Sequence, residues 1–183
     1  MATCQAALAR NCALAGRLDE ADKLYTSALK ILGHPSTSKT FSETRANIVE
    51  QRMFVPDYPR VMQIRLEHAL TLHLAKRYAD AEEAFKKLLK LITDREGKSS
   101  LLQVEPLLAF AEHYSERKRP ADAEPLLRQR LALLAPSVKP DHPATLTTKF
   151  ALERACRDLG KTAEADALQQ ELSAAGFKPP TPK

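Results

Sequence analysis

Acid, base and metal-ligand side chains come together at two places in this chain: Glu67, His68 and His73, and again Glu112, His113 and Glu116. Groups of this kind can bind a metal ion when their spacing directs them to one point. Neither set has the spacing of a known metal site, and charged side chains on a solvated helix face are the simpler interpretation. The sequence therefore predicts no bound metal.

Motifs for catalysis are also missing from the sequence. No nucleophile stands in a recognisable elbow, no glycine-rich loop could hold a phosphate, and no pair of carboxylates lies in an apolar setting. We therefore predict no catalytic residue, no cofactor and no enzymatic activity. The three cysteines, Cys4, Cys12 and Cys156, form no C-x-x-C pair, which argues against a disulfide framework or a zinc site. We expect Cys12 and Cys156 to fill the core.

The net charge of +5 raises the question of a nucleic-acid partner. Basic residues cluster at Lys86, Lys87 and Lys90, at 117–119, and at Arg128 and Arg130. Because no aromatic side chains alternate with them as stacking platforms, we interpret these clusters as a solvated outer face. Nucleic-acid binding is the weaker alternative. The sequence contains no apolar run long enough to span a bilayer and no secretory signal. We therefore predict a soluble, cytoplasmic protein without a membrane partner.

One unit is repeated four times along the chain. Its marker is a pair of residues, the second of them basic, that begins at Gly16, Lys76, Lys118 and Gly160, at intervals of 60, 42 and 42 residues. An alanine follows each pair at the same distance: Ala21, Ala81, Ala123 and Ala165. The motif Pro-Asp-x-Pro at 56–59 and 140–143 recurs after twice 42 residues, which confines an insertion to about 33–55. A fixed period of this length is typical of a solenoid.

Each unit has the apolar periodicity of two helices joined by a short turn. The pattern predicts helices near the following residues: 2–15, 18–32, 60–75, 79–92, 101–117, 121–134, 143–159 and 162–174. We expect Asp141 or His142 to cap the helix that Pro143 begins. The repeats would then cover 2–33, 60–93, 101–135 and 143–175, within one domain over 1–177.

Two segments lie outside this repeat pattern. The insertion, 34–56, carries Phe41, Ile48, Val49 and Met53 at near-helical spacing, which predicts an extra helix near 41–54. A mobile loop is the alternative, because Ser and Thr are dense from 36 to 44. The tail, 178–183, contains three prolines and is expected to be disordered.

The repeated residues resemble the tetratricopeptide repeat in its kinesin-light-chain-like form of 42 residues. The resemblance rests on Ala-Glu-Pro-Leu-Leu at 123–127, Pro-Asp-His-Pro at 140–143 and Gly-Lys-Thr-Ala-Glu-Ala at 160–165. It implies an all-α fold, a right-handed α-solenoid of four helix pairs with an insertion after the first. Copy four departs from the pattern at Glu153 and Gln169, as a capping repeat would.

The resemblance also implies a function, that of an adaptor or scaffold whose first helices line a concave groove for a peptide or protein. The groove residues would be Leu66, Leu70, His73, Leu108, Glu112, Ser115, Phe150, Arg154 and Arg157. Large apolar side chains would anchor the partner, and Arg154 with Arg157 would bind an acidic residue.

Self-association is the alternative function, because the first helix has little polar surface. Ala6, Ala7, Leu8, Ala9 and Leu14 make that helix mainly apolar. Either it pairs with a second copy as a homo-oligomer, or the chain is a fragment of a longer repeat protein.

Overall fold

Helices account for all the regular structure in the residues that the structure, a computed structural model, describes: 2–33 and 58–178. They are α1 (Ala2–Leu14), α2 (Leu18–Gly33), α3 (Tyr58–Leu74), α4 (Tyr78–Glu96), α5 (Val104–Glu116), α6 (Pro120–Leu134), α7 (Pro143–Asp158) and α8 (Thr162–Ala174), with a 3₁₀ turn at Leu101–Gln103 before α5. All eight coincide with helices predicted from the sequence, which confirms the all-α repeat fold. The predicted helix 41–54 and the last five residues of the predicted tail lie outside the described residues.

Two compact units divide the chain, Met1–Ala84 and Phe85–Lys183, with the boundary inside α4. In the first unit α1 packs on α2, and α2 packs on α3. In the second unit α5 packs on α6, α6 on α7, and α7 on α8. The single domain over 1–177 stays a prediction.

The repeated residue pair forms the turn that joins the first helix of each repeat to the second helix of that repeat. Its first member has a left-handed backbone in every copy, with φ between 55° and 77° at Gly16, Lys76, Lys118 and Gly160. The N–H of the next residue then donates to a carbonyl in the last turn of the first helix, as from Arg17 to Cys12 at 2.9 Å and from Arg77 to Leu72 at 3.0 Å. A left-handed lysine costs about 1 kcal/mol, so the connection itself imposes this conformation.

Small side chains let the two helices of each repeat approach closely. Ala9, Ala69 and Ala111 on the first helices are buried, and so is the alanine that follows each turn: Ala21, Ala81, Ala123 and Ala165. Tyr25, Phe85 and Leu127 fill the core one helical turn further on. Cys12 and Cys156 are fully buried, as the sequence predicts.

Arg130 does not belong to the solvated outer face, and that interpretation of the sequence was wrong. Its side chain is 2% exposed and occupies the repeat position held by Leu88 and Leu172. The guanidinium donates to the carbonyls of Val104 and Ala144, each at 2.9 Å, and to the Thr148 hydroxyl. Arg130 thus connects the starts of α5 and α7.

Burial lowers the pKa of Arg130, and the nearby carboxylates of Glu105 and Glu112 oppose that shift. The Glu105 carboxylate lies 3.7 Å from the guanidinium and is itself 73% exposed. Replacing the arginine would therefore leave no charge buried without a partner.

We expect Arg130→Leu to keep the free energy of unfolding within about 1 kcal/mol of the wild type, because leucine fits this repeat position in other copies. Arg130→Ala should lose about 2–4 kcal/mol, because it leaves a cavity. Urea denaturation of both variants measures the difference. An equal, large loss in both would show that the polar contacts, not the filled volume, stabilise this unit.

Candidate functional site

The first helices of the second unit, α5 and α7, expose the residues predicted to contact a partner. On α5, Leu107, Phe110, Ala111 and Tyr114 point into the core. On the opposite side of the same helix, Leu108 is half-buried, and Glu112 and Ser115 are exposed. On α7, Phe150 is half-buried and its ring lies 5.7 Å from that of Phe177, which follows α8. We call the set Leu108, Glu112, Ser115, Phe150 and Arg154 the α5–α7 face.

Arg157 differs from Arg154 in a way that the sequence analysis did not predict. The Arg157 guanidinium binds the buried Glu153 carboxylate at 2.6 Å and also lies 3.5 Å from Asp166 on α8. The hydrogen bond to Glu153 raises the pKa of Arg157. Arg154 is exposed and has no ion pair with any described residue. The two arginines therefore do not form an open pair of donors, and Arg157 supports the fold.

In the first unit the predicted contact residues lie on α3. Leu66 and His73 are half-buried, and Leu70 is exposed. Two further exposed leucines, Leu14 on α1 and Leu74 on α3, hold the same position at the ends of their helices. The first helices of this unit thus carry an apolar edge, of which the sequence analysis singled out Leu14 but not Leu74.

A pocket of about 180 Å³ lies between α1 and α3. Its walls are formed by Ala6, Ala7, Arg10, Asn11, Arg60, Gln63, Ile64 and Glu67. Glu67 accepts hydrogen bonds from Arg10, from Gln63 at 3.1 Å and from the Tyr25 hydroxyl at 3.2 Å. Burial first, and then the Glu67 charge, raises the pKa of Tyr25.

His68 and His113 belong to packing networks, so the interpretation that placed them on solvated helix faces was wrong, whereas Glu112 and Glu116 are exposed as that interpretation expected. His68 lies 2.7 Å from Asp22 of α2, and Arg77 binds the other oxygen of that carboxylate at 2.5 Å. Burial would raise the pKa of Asp22, but the hydrogen bonds from His68 and Arg77 lower it. His113 is 1% exposed, with its ring 5.8 Å from that of Phe85.

Glu124 of α6 is the centre of a second network, within the second unit. It accepts from Lys161, which precedes α8, at 2.6 Å, and from Arg128 at 2.8 Å. These two hydrogen bonds lower the pKa of Glu124. Arg128 also binds Glu164 at 2.7 Å. The network therefore links α6 to α8.

The same region brings together three atoms that could act as metal ligands, from Glu124, Cys156 and Glu164, within 4.8 Å of one another. Both carboxylates already bind cations of the chain, and burial raises the pKa of the Cys156 thiol. Because a thiol must lose its proton to bind a metal, this arrangement favours ion pairing over metal binding.

The networks at Asp22 and Glu124 occupy the same place in the repeat. In each, the basic residue just before the second helix of one repeat binds an acid on the second helix of the repeat before it. Arg77, before α4, binds Asp22 on α2, and Lys161, before α8, binds Glu124 on α6. The signal for this was present in the sequence but was missed. An acid directly follows the repeated alanine in every copy: Asp22, Glu82, Glu124 and Asp166.

A family model for the tetratricopeptide repeat matches residues 60–135. The chain contains tetratricopeptide repeats. Its fold is similar to that of a Podosopora anserina protein described as a kinesin light chain with nearly identical TPR-like repeats, with a TM-score of 0.57 and 18% identity over 95% of this chain and 94% of that one. The predicted likeness to kinesin-light-chain repeats is confirmed.

A second similar structure is BtubC (BKLC) from P. vanneervenii, with a TM-score of 0.71 and 17% identity over 100% of this chain and 67% of that one. At these identities the likeness establishes the fold. No curated protein matches the sequence. Within the part of the chain that is described, none of the tetratricopeptide helices is both long and apolar enough to span a bilayer.

The network at Glu124 predicts a pH dependence of stability. Because its folded-state pKa is lowered, Glu124 stabilises the fold above its ordinary pKa of 4.5, and this contribution disappears as the pH falls through the folded value. Glu124→Gln should cost about 1 kcal/mol of unfolding free energy at pH 7, allowing for partly exposed partners. The cost should shrink as the pH falls and vanish once Glu124 is protonated in the folded state as well.

Urea denaturation at pH 7, 5 and 3 measures this dependence. Glu20→Gln is the matched control, because it removes the same charge from an exposed pair with Arg17. A cost for Glu124→Gln that does not change with pH would contradict the ionic explanation.

Proposed function

We propose that the chain is a protein-binding module that acts as an adaptor or scaffold and receives a peptide or protein segment on its first helices. Tetratricopeptide repeats in general mediate protein–protein interaction and are typically not catalytic. The observation that carries the proposal is the α5–α7 face. It combines half-buried apolar side chains with exposed charged side chains on both helices.

Leu108 and Phe150 supply the apolar anchors of this face. Both are held by their helices and only partly covered, so a partner would bury their remaining surface without first ordering them. Arg154 and Glu112 are exposed and carry opposite charges on α7 and α5. They would set the direction of a bound segment, with an acidic residue beside α7 and a basic one beside α5.

The basic clusters support a protein partner over nucleic acid. Arg130 is buried, and Arg128 is engaged by Glu124 and Glu164. Lys90 lies 2.5 Å from Asp94. Phosphate binding requires basic side chains that are available on the surface, and these contacts reduce the number that are available.

The test uses 12-residue peptides selected from a phage-displayed random library on the full chain, with affinities measured by fluorescence anisotropy. We expect Phe150→Ala to weaken binding about 30-fold, as loss of a central aromatic anchor does. Arg154→Glu should shift the preferred peptides from acidic to basic at one end.

The controls for this experiment are Leu101→Ala, which removes an exposed leucine outside the α5–α7 face, and Arg17→Glu in the other unit. Neither should change the affinity more than about twofold. Circular dichroism confirms that each variant folds. Unchanged affinity in both Phe150→Ala and Arg154→Glu would place peptide binding on another surface.

Self-association is the second candidate function, and one observation favours it. Leu8 and Leu14 on α1 are 50% and 82% exposed. Because α1 has few charged side chains, these leucines make its exposed surface mainly apolar. Two copies of the chain that paired through α1 would bury both leucines.

Sedimentation velocity between about 5 and 500 μM tests this pairing. If α1 pairs, the wild type should change from monomer to dimer across this range, and Leu8→Gln with Leu14→Gln should remain a monomer. Leu101→Gln is the control, because it removes an exposed leucine outside α1. A wild type that stays monomeric throughout would eliminate self-association.

A further inference from the structure

A buried polar network lies at the starts of α5 and α7, the two helices that form the α5–α7 face. Arg130 of α6 is 2% exposed, Gln103 is 1% exposed and Thr148 is 0% exposed. The positions equivalent to Arg130 and Thr148 in the first unit are apolar. They hold Ala28 and Ile64, which belong to one apolar cluster. The repeat can thus be built without these polar side chains, so their presence has another cause.

Two consecutive residues of α6 hold the start of α5. Gln129 donates to the side-chain oxygen of Gln103 at 3.0 Å, and Gln103 in turn donates to two carbonyls of the preceding loop, at 3.0 and 3.1 Å. Arg130 donates to the carbonyl of Val104, the first residue of α5, at 2.9 Å. The end of the loop and the beginning of α5 are therefore both attached to α6 by directional contacts.

The same guanidinium also holds the start of α7. It donates to the carbonyl of Ala144, the second residue of α7, at 2.9 Å, and to the hydroxyl of Thr148. That hydroxyl in turn donates to the Ala144 carbonyl at 2.6 Å. A planar guanidinium has its N–H donors in fixed directions, so it matches these acceptors in one relative position of the two helices. A single side chain thus joins α5 to α7.

Stability alone does not account for this arginine. Removing a guanidinium from water costs free energy, and apolar side chains of similar volume often replace a buried ionic group without loss. Leu88 and Leu172 fill the same repeat position in this unit. Both carbonyls that Arg130 binds lie in the first turn of a helix, where each also accepts from the N–H four residues later. What leucine cannot supply is direction, because apolar contacts allow sliding whereas hydrogen bonds depend on angle.

We propose that Arg130 is a positioning residue for the α5–α7 face, which fixes the spacing and register of α5 against α7. Leu108 lies one helical turn after Val104 on α5, and Phe150 lies two residues after Thr148 on α7. A shift at either helix start would therefore change the distance between the two apolar anchors. A partner binds most tightly to anchors that are already in place, because no binding free energy is then lost in ordering them. This inference rests on the proposed function of the face and deepens it.

Distances between nitroxide labels on α5 and α7 test this positioning directly. The labels are attached at two exposed positions through Glu112→Cys and Arg154→Cys, with Cys4→Ser to remove the exposed native cysteine. Electron paramagnetic resonance then measures the dipolar broadening between the labels, which depends on the spacing of the helices. Arg130→Leu should shift or widen the distribution of label distances by about 1–2 Å, the size of helix displacements at interfaces.

Peptide affinity is the second readout. A fluorescein-labelled 12-residue peptide, selected from the phage library on the full chain, should bind Arg130→Leu about tenfold more weakly, because the anchors are no longer preorganised. Thr148→Val removes one acceptor of the guanidinium and should weaken binding about threefold. Arg130→Lys keeps the charge without the planar pair of donors, so its affinity should lie between those of Arg130→Leu and the wild type.

Leu172→Met is the matched control for both readouts. It changes a buried side chain at the same repeat position, on α8, without removing a side-chain hydrogen bond. This variant should keep the wild-type label distance and bind the peptide within about twofold of the wild-type affinity. Urea denaturation shows whether each variant is folded under the conditions of the binding measurement.

An unchanged label distance in a folded Arg130→Leu would overturn the proposal. So would equal losses of affinity in Arg130→Leu and Leu172→Met, which would indicate a general effect of the core. A changed distance with unchanged affinity would restrict Arg130 to the fold and remove its role for the face. If Arg130→Leu does not fold, Thr148→Val decides by the same readouts. The proposed function fails separately, through unchanged affinity in Phe150→Ala and Arg154→Glu, while the label distance still reports on Arg130.

Discussion

The left-handed turn between the two helices of each repeat is the constraint on which the rest of the structure depends. A residue with positive φ ends the first helix, and the next N–H satisfies one of its last carbonyls. The chain thereby reverses within a few residues and starts the second helix at a fixed distance from the first. Glycine adopts this backbone without strain, whereas Lys76 and Lys118 adopt it at a cost, so packing must exceed that cost.

The second member of the turn has an additional role, because its side chain begins the next helix and can reach an acid. Arg17, Arg77 and Arg119 each bind an acid three residues later. Within its own unit, Arg77 also binds Asp22, as Lys161 binds Glu124. The backbone conformation of the turn thus also positions a basic side chain, which forms an ion pair with the second helix of the repeat before it.

The fold could be predicted from the sequence because it rests on residues that recur at the same place in every copy. The turn pairs, the buried alanines and the apolar stripes all follow the period, and His142 caps α7 through its ring nitrogen, 3.1 Å from the Ala144 N–H. Arg130 could have been placed in the core by the same register, which aligns it with Leu88 and Leu172. It was misassigned because charge was given more weight than position, although a long arginine side chain can reach carbonyl oxygens from a buried site.

The candidate site was harder to predict, because contacts between helices decide which charges are available. The spacing of Arg154 and Arg157 by one helical turn is visible in the sequence, and so is the i, i+4 relation of Glu153 to Arg157. The approach of Asp166 from α8 is not. The same reason explains Glu67, whose three donors come from α1, α2 and α3. Chemistry that a partner can use is therefore what remains after the fold has satisfied its own charges.

The outward positions of the first helices differ among the copies, and this divergence has a physical origin. The buried alanine positions leave little room for a larger side chain, with Glu153 in copy four as the exception, and the turn tolerates few residues. Outward positions on the first helices have neither restriction. One such position carries exposed leucine at 14 and 74 in the first unit but Glu116 and Asp158 in the second. A single backbone plan thus presents an apolar edge in one unit and an acidic edge in the other, and selection for a partner can act on these positions without a cost in stability.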